Sequence, residues 1–263
     1  MCPLACYIRK KFGKKMEHMH IGFANPDTLL NIIEKQEAEP QPDFDNEQVW
    51  TFLLACLYAV EGMEGTRRLA QLLTESNEQR DTKVWLEVLP LPPRKGEGPT
   101  HIDLAFGDLV LRQGTRSGIE LEAGDNKWIA FVECKWYSDI AISVSADRCR
   151  NQLARVIENA ICFTSRRGEY AQDVHVTIVT PNKFKHCNTK PRLYHYKFHE
   201  YKDDSSALVN DLQSIALQYR EGHRELDLKE RLEKLHLHWV SYDDLCNNAP
   251  DSEMKHLFTN YVG

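Results

Sequence analysis

Hydrophobic and polar positions divide the chain into alternating strand and helix signatures. Residues 128–136 read WIAFVECKW. The unbroken apolar run Ile129, Ala130, Phe131 and Val132 predicts a buried central strand. Period-two alternation continued past it places Glu133 and Lys135 on one face and Cys134 on the other. Upstream, Val84, Leu86 and Val88 alternate with Trp85 and Glu87 and predict a strand over 82–89. A second strand is predicted over 101–112, with Ile102, Leu104 and Phe106 on one face and Asp103 and Ala105 on the other; Gly107 marks a bulge or turn within it. The glycine-bearing connection 113–127 has room for a short strand at 119–121. The β-branched run 173–180 and the segment 236–240 complete the strands.

Helical spacing is clearest at 147–163, where Leu153, Val156, Ile157, Ala160 and Ile161 form a stripe and Asp147 serves as the cap. Further helices are predicted at 27–39 with Asp27 as cap, 45–62, 67–75, 206–219, 227–235, 242–246 behind Ser241, and 254–261. Residues 1–25 show no period and read as a basic arm; 183–201 reads as a basic, aromatic loop. A helix between two buried strands implies a right-handed crossover with parallel pairing, whereas the strands carrying Asp103 and Glu133 form an antiparallel hairpin. The expected fold is α/β: a mixed central sheet of about five strands with helices on both faces and helical additions at both ends. The expected divisions are a helical N-terminal region at 1–80, a core at 81–248 and a C-terminal helix at 249–263.

A chain of 263 residues, 42% hydrophobic and 27% charged, suits one large core with an appendage. No apolar run reaches the length of a membrane span, and no secretory leader pattern is present, so a cytoplasmic protein without a membrane partner is expected. The eight cysteines form no C-x-x-C pair. Cys2 and Cys6 could open a zinc site, but no second pair follows at finger spacing, and reduced thiols are the better reading. A net charge of −6 argues against coating nucleic acid by bulk electrostatics, yet leaves room for a local basic groove.

The chemistry centres on Asp103, Glu133 and Lys135. Opposite charges leaving a buried strand on one face require pairing or coordination. Carboxylate oxygens from Asp103 and Glu133, with the backbone carbonyl of Cys134, make the all-oxygen set that Mg²⁺ prefers. Lys135 beside them can orient a water, help deprotonate it or stabilise charge at phosphorus. The plain alternative is a Glu133–Lys135 ion pair at a strand end, contributing about 0–1 kcal/mol. Two further acidic residues were weighed. Asp108 stands beside the Gly107 turn, and Glu87 is placed far from the strand end that meets Asp103. The loop 90–99 leads directly to Asp103, and its Arg94 and Lys95 suit a phosphate contact.

An Asp on one strand followed by Glu-x-Lys at the end of the next, ahead of an amphipathic helix, resembles the PD-(D/E)XK nuclease superfamily, the restriction-endonuclease-like fold. The resemblance runs from Val84 to Leu245; the family's Pro-Asp is here Thr100-His101-Ile102-Asp103, with Pro99 a few residues early. It implies a Mg²⁺-dependent nuclease, with Mn²⁺ able to substitute, acting on DNA, most naturally duplex, in phage defence, restriction or repair. It implies metal binding by Asp103 and Glu133, work on the attacking water by Lys135, and a site role for Gln152 on the following helix. It also implies an extra acidic residue on the helix before the sheet, for which Glu61 is the candidate. A homodimer and a protein partner in a multi-component system are compatible with it. The alternatives are a catalytically silent DNA- or partner-binding module of the same fold, and an RNA-directed nuclease. Phe184, Tyr194, Tyr196 and Phe198 among the lysines of 183–201 either stack on nucleic acid or pack a long excursion.

Overall fold

A computed structural model describes residues 4–12, 18–22, 25–38, 46–140, 150–185, 192–250 and 255–256. In chain order the elements are α1 (Leu4–Phe12), β1 (Met19–Ile21), α2 (Pro26–Glu37), α3 (Glu47–Ala59), α4 (Met63–Thr74), β2 (Val84–Pro90), β3 (Ile102–Gly107), β4 (Leu109–Leu111), β5 (Gly118–Leu121) and β6 (Trp128–Cys134). They are followed by α5 (Gln152–Ile161), β7 (Asp173–Thr180), α6 (Asn182–Lys185), α7 (Leu193–Asp203), α8 (Ser205–Gln213), α9 (Leu228–Leu232), β8 (Leu235–Ser241) and α10 (Tyr242–Asn248).

The fold is α/β, with a mixed eight-stranded sheet in the order β4-β5-β2-β3-β6-β7-β8, and β1 beside β2. The five expected strands are its centre; short β1, β4 and β5 widen it. β2, β3 and β6 run antiparallel to their neighbours in that series, whereas β6, β7 and β8 are parallel. The β6-α5-β7 crossover is the parallel unit expected from the buried runs on either side of the helix. β1 and β5 share one edge of β2: β1 pairs with Val84–Leu86 and β5 with Leu89 and Pro90.

Two apolar layers cover the sheet. One packs α1, α2, α3, α4 and α10 against Val84, Leu86, Leu104, Phe106, Ala130 and Val132. The other packs α5, α7, α8 and α9 against Ile129, Phe131, Val174, Val176 and Ile178. The helices expected as an N-terminal addition thus form one layer of the molecule. The segment expected to be an unstructured arm contains α1 and β1, and the expected loop 183–201 contains α7, on which Tyr194 and Phe198 are buried. Their aromatic rings pack a core here, as does Phe184. The caps differ from expectation by a residue or more: Asn25 caps α2 in place of Asp27, and Asn151 caps α5 through a bond from the Ala154 N–H. Asp147, Cys2 and most of the expected helix 254–261 lie outside the described residues.

Gly107 ends β3 at φ +116°, where a Cβ would lie 2.3 Å from the Trp128 carbonyl oxygen. The turn separates β3 from β4, so the single strand expected over 101–112 is two.

A buried ion network fastens the 91–101 connection to α5. Glu158 accepts from Arg94 Nε at 2.7 Å and Tyr219 Oη at 2.8 Å, and also from Arg150. Arg150 also pairs with Glu97, which Arg155 Nε approaches at 2.9 Å. Arg155 donates to the Gly98 and Pro99 carbonyls at 2.7 and 3.0 Å. Removing one member of a buried pair strands its partner. Glu158→Ala is therefore expected to lower unfolding free energy by about 3–5 kcal/mol, and Arg80→Ala, at a partly exposed pair, by about 1 kcal/mol or less. Denaturant titration of the two variants checks the ranking.

Candidate functional site

Register brings the candidate carboxylates together. Leu104 faces Val132 across β3 and β6, so one step outward Asp103 stands opposite Glu133. Leu86 faces Leu104 and Val88 faces Ile102, which sets Glu87 opposite Asp103. Three neighbouring strands thus each place one carboxylate in a row. Glu87 is in this row, contrary to the expectation that it lies far from Asp103. The strands expected over 82–89 and 101–112 fold as an antiparallel hairpin about Lys95, the centre of their connection, which sets residue 87 against 103.

Glu87 is itself unusual. Its φ is +50°, left-handed backbone in the middle of a strand. For a residue with a Cβ this costs about 1–2 kcal/mol. The kink reverses the alternation: Leu86 faces the α3 layer and so does Leu104, but Val88 and Ile102 both face the α5 layer. Ile102 therefore parts from Leu104 and Phe106, with which it was expected to share a face.

Each carboxylate is tied to its surroundings. Asp103 Oδ2 accepts from the Cys134 N–H at 2.7 Å. A strand residue's N–H and C=O leave toward the same side, so the Cys134 carbonyl also faces the β3 side. Glu133 Oε1 lies 2.9 Å from Lys135 Nζ and accepts from the Gln152 side-chain amide. Gln152 opens α5, and the Asn151 cap fixes that first turn. The second oxygen of Glu133, Oε2, is buried with no hydrogen-bond partner among the described residues. Lys135 Nζ also reaches Glu47 Oε2 at 3.2 Å, and Ser138 donates to the other Glu47 oxygen. Glu47 is the acidic residue that α3 brings to Lys135; Glu61, the residue expected there, is exposed just beyond the opposite end of α3. No sequence pattern distinguishes the two glutamates, since the choice depends on the end of α3 that meets β6.

Charge in this row is poorly balanced. Burial first, then the neighbouring Glu133, push the Asp103 carboxyl well above the usual carboxylate range, against the pull of Lys135. Burial likewise raises Glu133, with Lys135 opposing. Burial and Glu133 raise Glu87 from the ordinary 4.5 to about 7. For Lys135, burial favours the neutral amine, but the charges of Glu133, Asp103 and Glu47 outweigh it and hold the ammonium above the ordinary lysine range.

Between pH 4.5 and about 7 the folded protein binds more protons at Glu87 than the unfolded chain does, so this contribution to stability is lost as pH rises through that interval. The change amounts to at most about 3 kcal/mol. Glu87→Gln is expected to raise the metal-free melting temperature at pH 8 and to leave it nearly unchanged at pH 4. Equal shifts at both pH values would show that the carboxyl does not titrate in this range.

Other expected contacts fall elsewhere. Arg94 is buried in the Glu158 network and faces no solvent groove, whereas Lys95 is exposed. Asp108 caps the Gly107 turn by accepting from the Trp128 N–H at 3.0 Å and pairs with Lys127 at 3.4 Å. Among the described residues no three His, Cys, Asp or Glu side chains stand in metal-ligating geometry, and no helix is long and apolar enough to cross a membrane. Comparison with protein-family models, with curated proteins and with solved structures finds no match for the chain.

Proposed function

We propose that this chain is a divalent-metal-dependent nuclease of the PD-(D/E)XK type, hydrolysing DNA phosphodiester bonds in restriction, phage defence or repair. One observation carries the reading. Asp103, Glu133 and Glu87 stand in one row, all with raised pKa values, beside the strand-end ammonium of Lys135, and the Oε2 atom of Glu133 is buried without a partner among the described residues. An oxygen-binding divalent cation is the group this arrangement fits, because it offsets the excess negative charge and satisfies the orphaned oxygen.

Asp103 and Glu133 would hold Mg²⁺, or Mn²⁺ in its place, with the Cys134 carbonyl on the same side and Glu87 adjoining. The cation supplies positive charge that polarises a phosphoryl oxygen and lowers the pKa of water. The protein's residues have separate tasks. Lys135, which the charges of Glu133, Asp103 and Glu47 hold as the ammonium in the metal-free protein, positions a phosphate or water and offsets charge growing at phosphorus. Gln152 fixes the rotamer of Glu133 through one oxygen and leaves the other to the site. Glu47 and Ser138 hold Lys135 from the far side.

A second reading draws on the internal ties. Asp103 bonded to the Cys134 N–H, and Glu133 bonded to Lys135 and Gln152, would also suit a silent, DNA- or partner-binding module of the same fold. Supercoiled plasmid incubated with Mg²⁺, Mn²⁺ or EDTA separates the two. Nicking or linearisation that needs metal and is absent from Glu133→Ala is expected. Cleavage that survives EDTA, or that Glu133→Ala retains, would reject the site; metal-loaded protein inert on DNA and RNA would favour the silent module.

A further inference from the structure

Immediately after Lys135 the chain presents a second arrangement that the carboxylate row does not use. Trp136 is buried and stacks on Trp50 of α3 at 3.9 Å between ring centroids. Tyr137, the next residue, is 44% exposed, a large ring left open beside the site. Isolated exposed aromatics are common and need no explanation. Tyr137 differs in how it is held. Its ring packs perpendicular to Trp136 at 5.4 Å and to Phe184 of α6 at 6.3 Å between centroids. Lys183 Nζ stands 4.3 Å from its ring centroid and donates to its hydroxyl at 3.3 Å. Arg192 lies 4.2 Å from the Phe184 ring.

The backbone beneath is clamped from both sides. Ser138 bonds to Glu47 at the start of α3, and Asp139 accepts from the Leu193 and Tyr194 N–H groups at the start of α7, at 2.7 and 3.2 Å. Tyr137 and Lys183 follow directly on the carboxyl ends of β6 and β7, adjacent parallel strands, which is where ligands sit on open α/β sheets. A fixed ring with a cation over it, two residues along the chain from a phosphate-directed lysine, is the pairing that binds a nucleotide by base stacking plus backbone charge.

We infer that Tyr137 and Lys183 form a stacking platform for an unpaired base adjoining the phosphate held at Lys135. This deepens the proposed nuclease reading and rests on it for the position of the phosphate. In a closed duplex the faces of each base are covered by its neighbours, so a ring fixed at the site mouth is useful only to a base that is single-stranded, frayed or at an end. The substrate class is therefore nucleic acid with an unpaired nucleotide at the cleaved bond. Stacking also suits an acidic chain of net charge −6, because it does not depend on bulk attraction.

The test is binding by the full chain, read by anisotropy of end-labelled oligothymidine, oligouridine and a blunt hairpin duplex, in EDTA and in Ca²⁺. A 2-aminopurine base in the single strand reports stacking directly. Wild type is expected to bind single strands more tightly than the duplex and to quench 2-aminopurine. Tyr137→Ala is expected to weaken single-strand binding at least about fivefold and to remove the quench, Tyr137→Phe to restore both, and duplex affinity to change less than about twofold. Oligothymidine and oligouridine arms distinguish DNA from RNA as the source of the base.

Single-strand binding unchanged in Tyr137→Ala, equal losses on single strand and duplex, or no binding by wild type would each overturn the platform. These readouts do not need cleavage. Tyr137-dependent binding by a protein that cuts nothing keeps the platform and removes the nuclease; metal-dependent cutting with an indifferent Tyr137→Ala does the reverse.

Discussion

Lys135→Met is expected to reduce Mg²⁺-dependent cleavage by about a thousandfold, the loss seen when one preorganised charge aimed at a transition state is removed. The substitution keeps the length and the apolar stem of the side chain, so packing against the end of β6 changes little. Electrostatically it does more. Lys135 opposes the rise in pKa at Asp103, Glu133 and Glu87. Without it, those groups hold their protons to higher pH, and metal must displace more protons to bind. The variant should therefore show two signatures together: a rate loss at every pH, and a metal requirement that steepens with falling pH. A Lys135→Met enzyme with wild-type turnover would remove the lysine from the chemistry. Lys135→Arg is expected to recover binding of DNA before it recovers rate, because the broader, forked cation cannot occupy the narrow position between Glu133 and Glu47.

Glu133→Ala is expected to abolish Mn²⁺ binding measured by calorimetry, by a factor of at least about one hundred. Asp103→Ala removes the other carboxylate and also leaves the buried Cys134 N–H without its acceptor, so a loss of Mn²⁺ affinity is expected there too. Deleting Glu133 removes a carboxylate whose charge burial opposes but also its pairs with Lys135 and Gln152, so the stability loss of the metal-free protein at pH 8 is expected to be smaller than that of Glu158→Ala. The deletion also strands part of Lys135, which keeps Glu47 as its partner at 3.2 Å. A large stability loss with unchanged Mn²⁺ affinity would identify Glu133 as a structural anchor for Lys135.

Much of this architecture was legible in the chain. The run Ile129–Val132 reads as a buried central strand and the β-branched run after α5 as its parallel neighbour, and both stand so in the sheet beside the β3–β6 hairpin. Asp103 and Glu133 followed from that hairpin. What the sequence did not disclose depends on contacts between distant segments. β1 is three residues long and becomes a strand only because β2 offers it an edge. α7 was hidden because aromatic and basic side chains surround the helix without a clean stripe, and its apolar face is defined by Trp239 on β8. Arg94 and Arg150 resemble surface cations until Glu158 and Glu97 are seen to bury them. Glu87, expected far from the strand end that meets Asp103, stands opposite it because the hairpin folds residue 87 onto 103.

The shared edge of β2 has a consequence for any shortened form of this protein. β1 is followed by Gly22, where a side-chain carbon would come within 2.5 Å of the Glu87 carbonyl oxygen. The first segment of the chain thus closes the hydrogen-bonding edge of β2, and the Gly22 N–H continues the pairing by donating to the Leu86 carbonyl at 2.8 Å. Trimming past Ile21 would uncover a row of unmet backbone groups flanked by Trp85 and Leu86, a ready template for self-association between copies. Solubility would then be lost through a deletion at a place that contributes no atom to the carboxylate row.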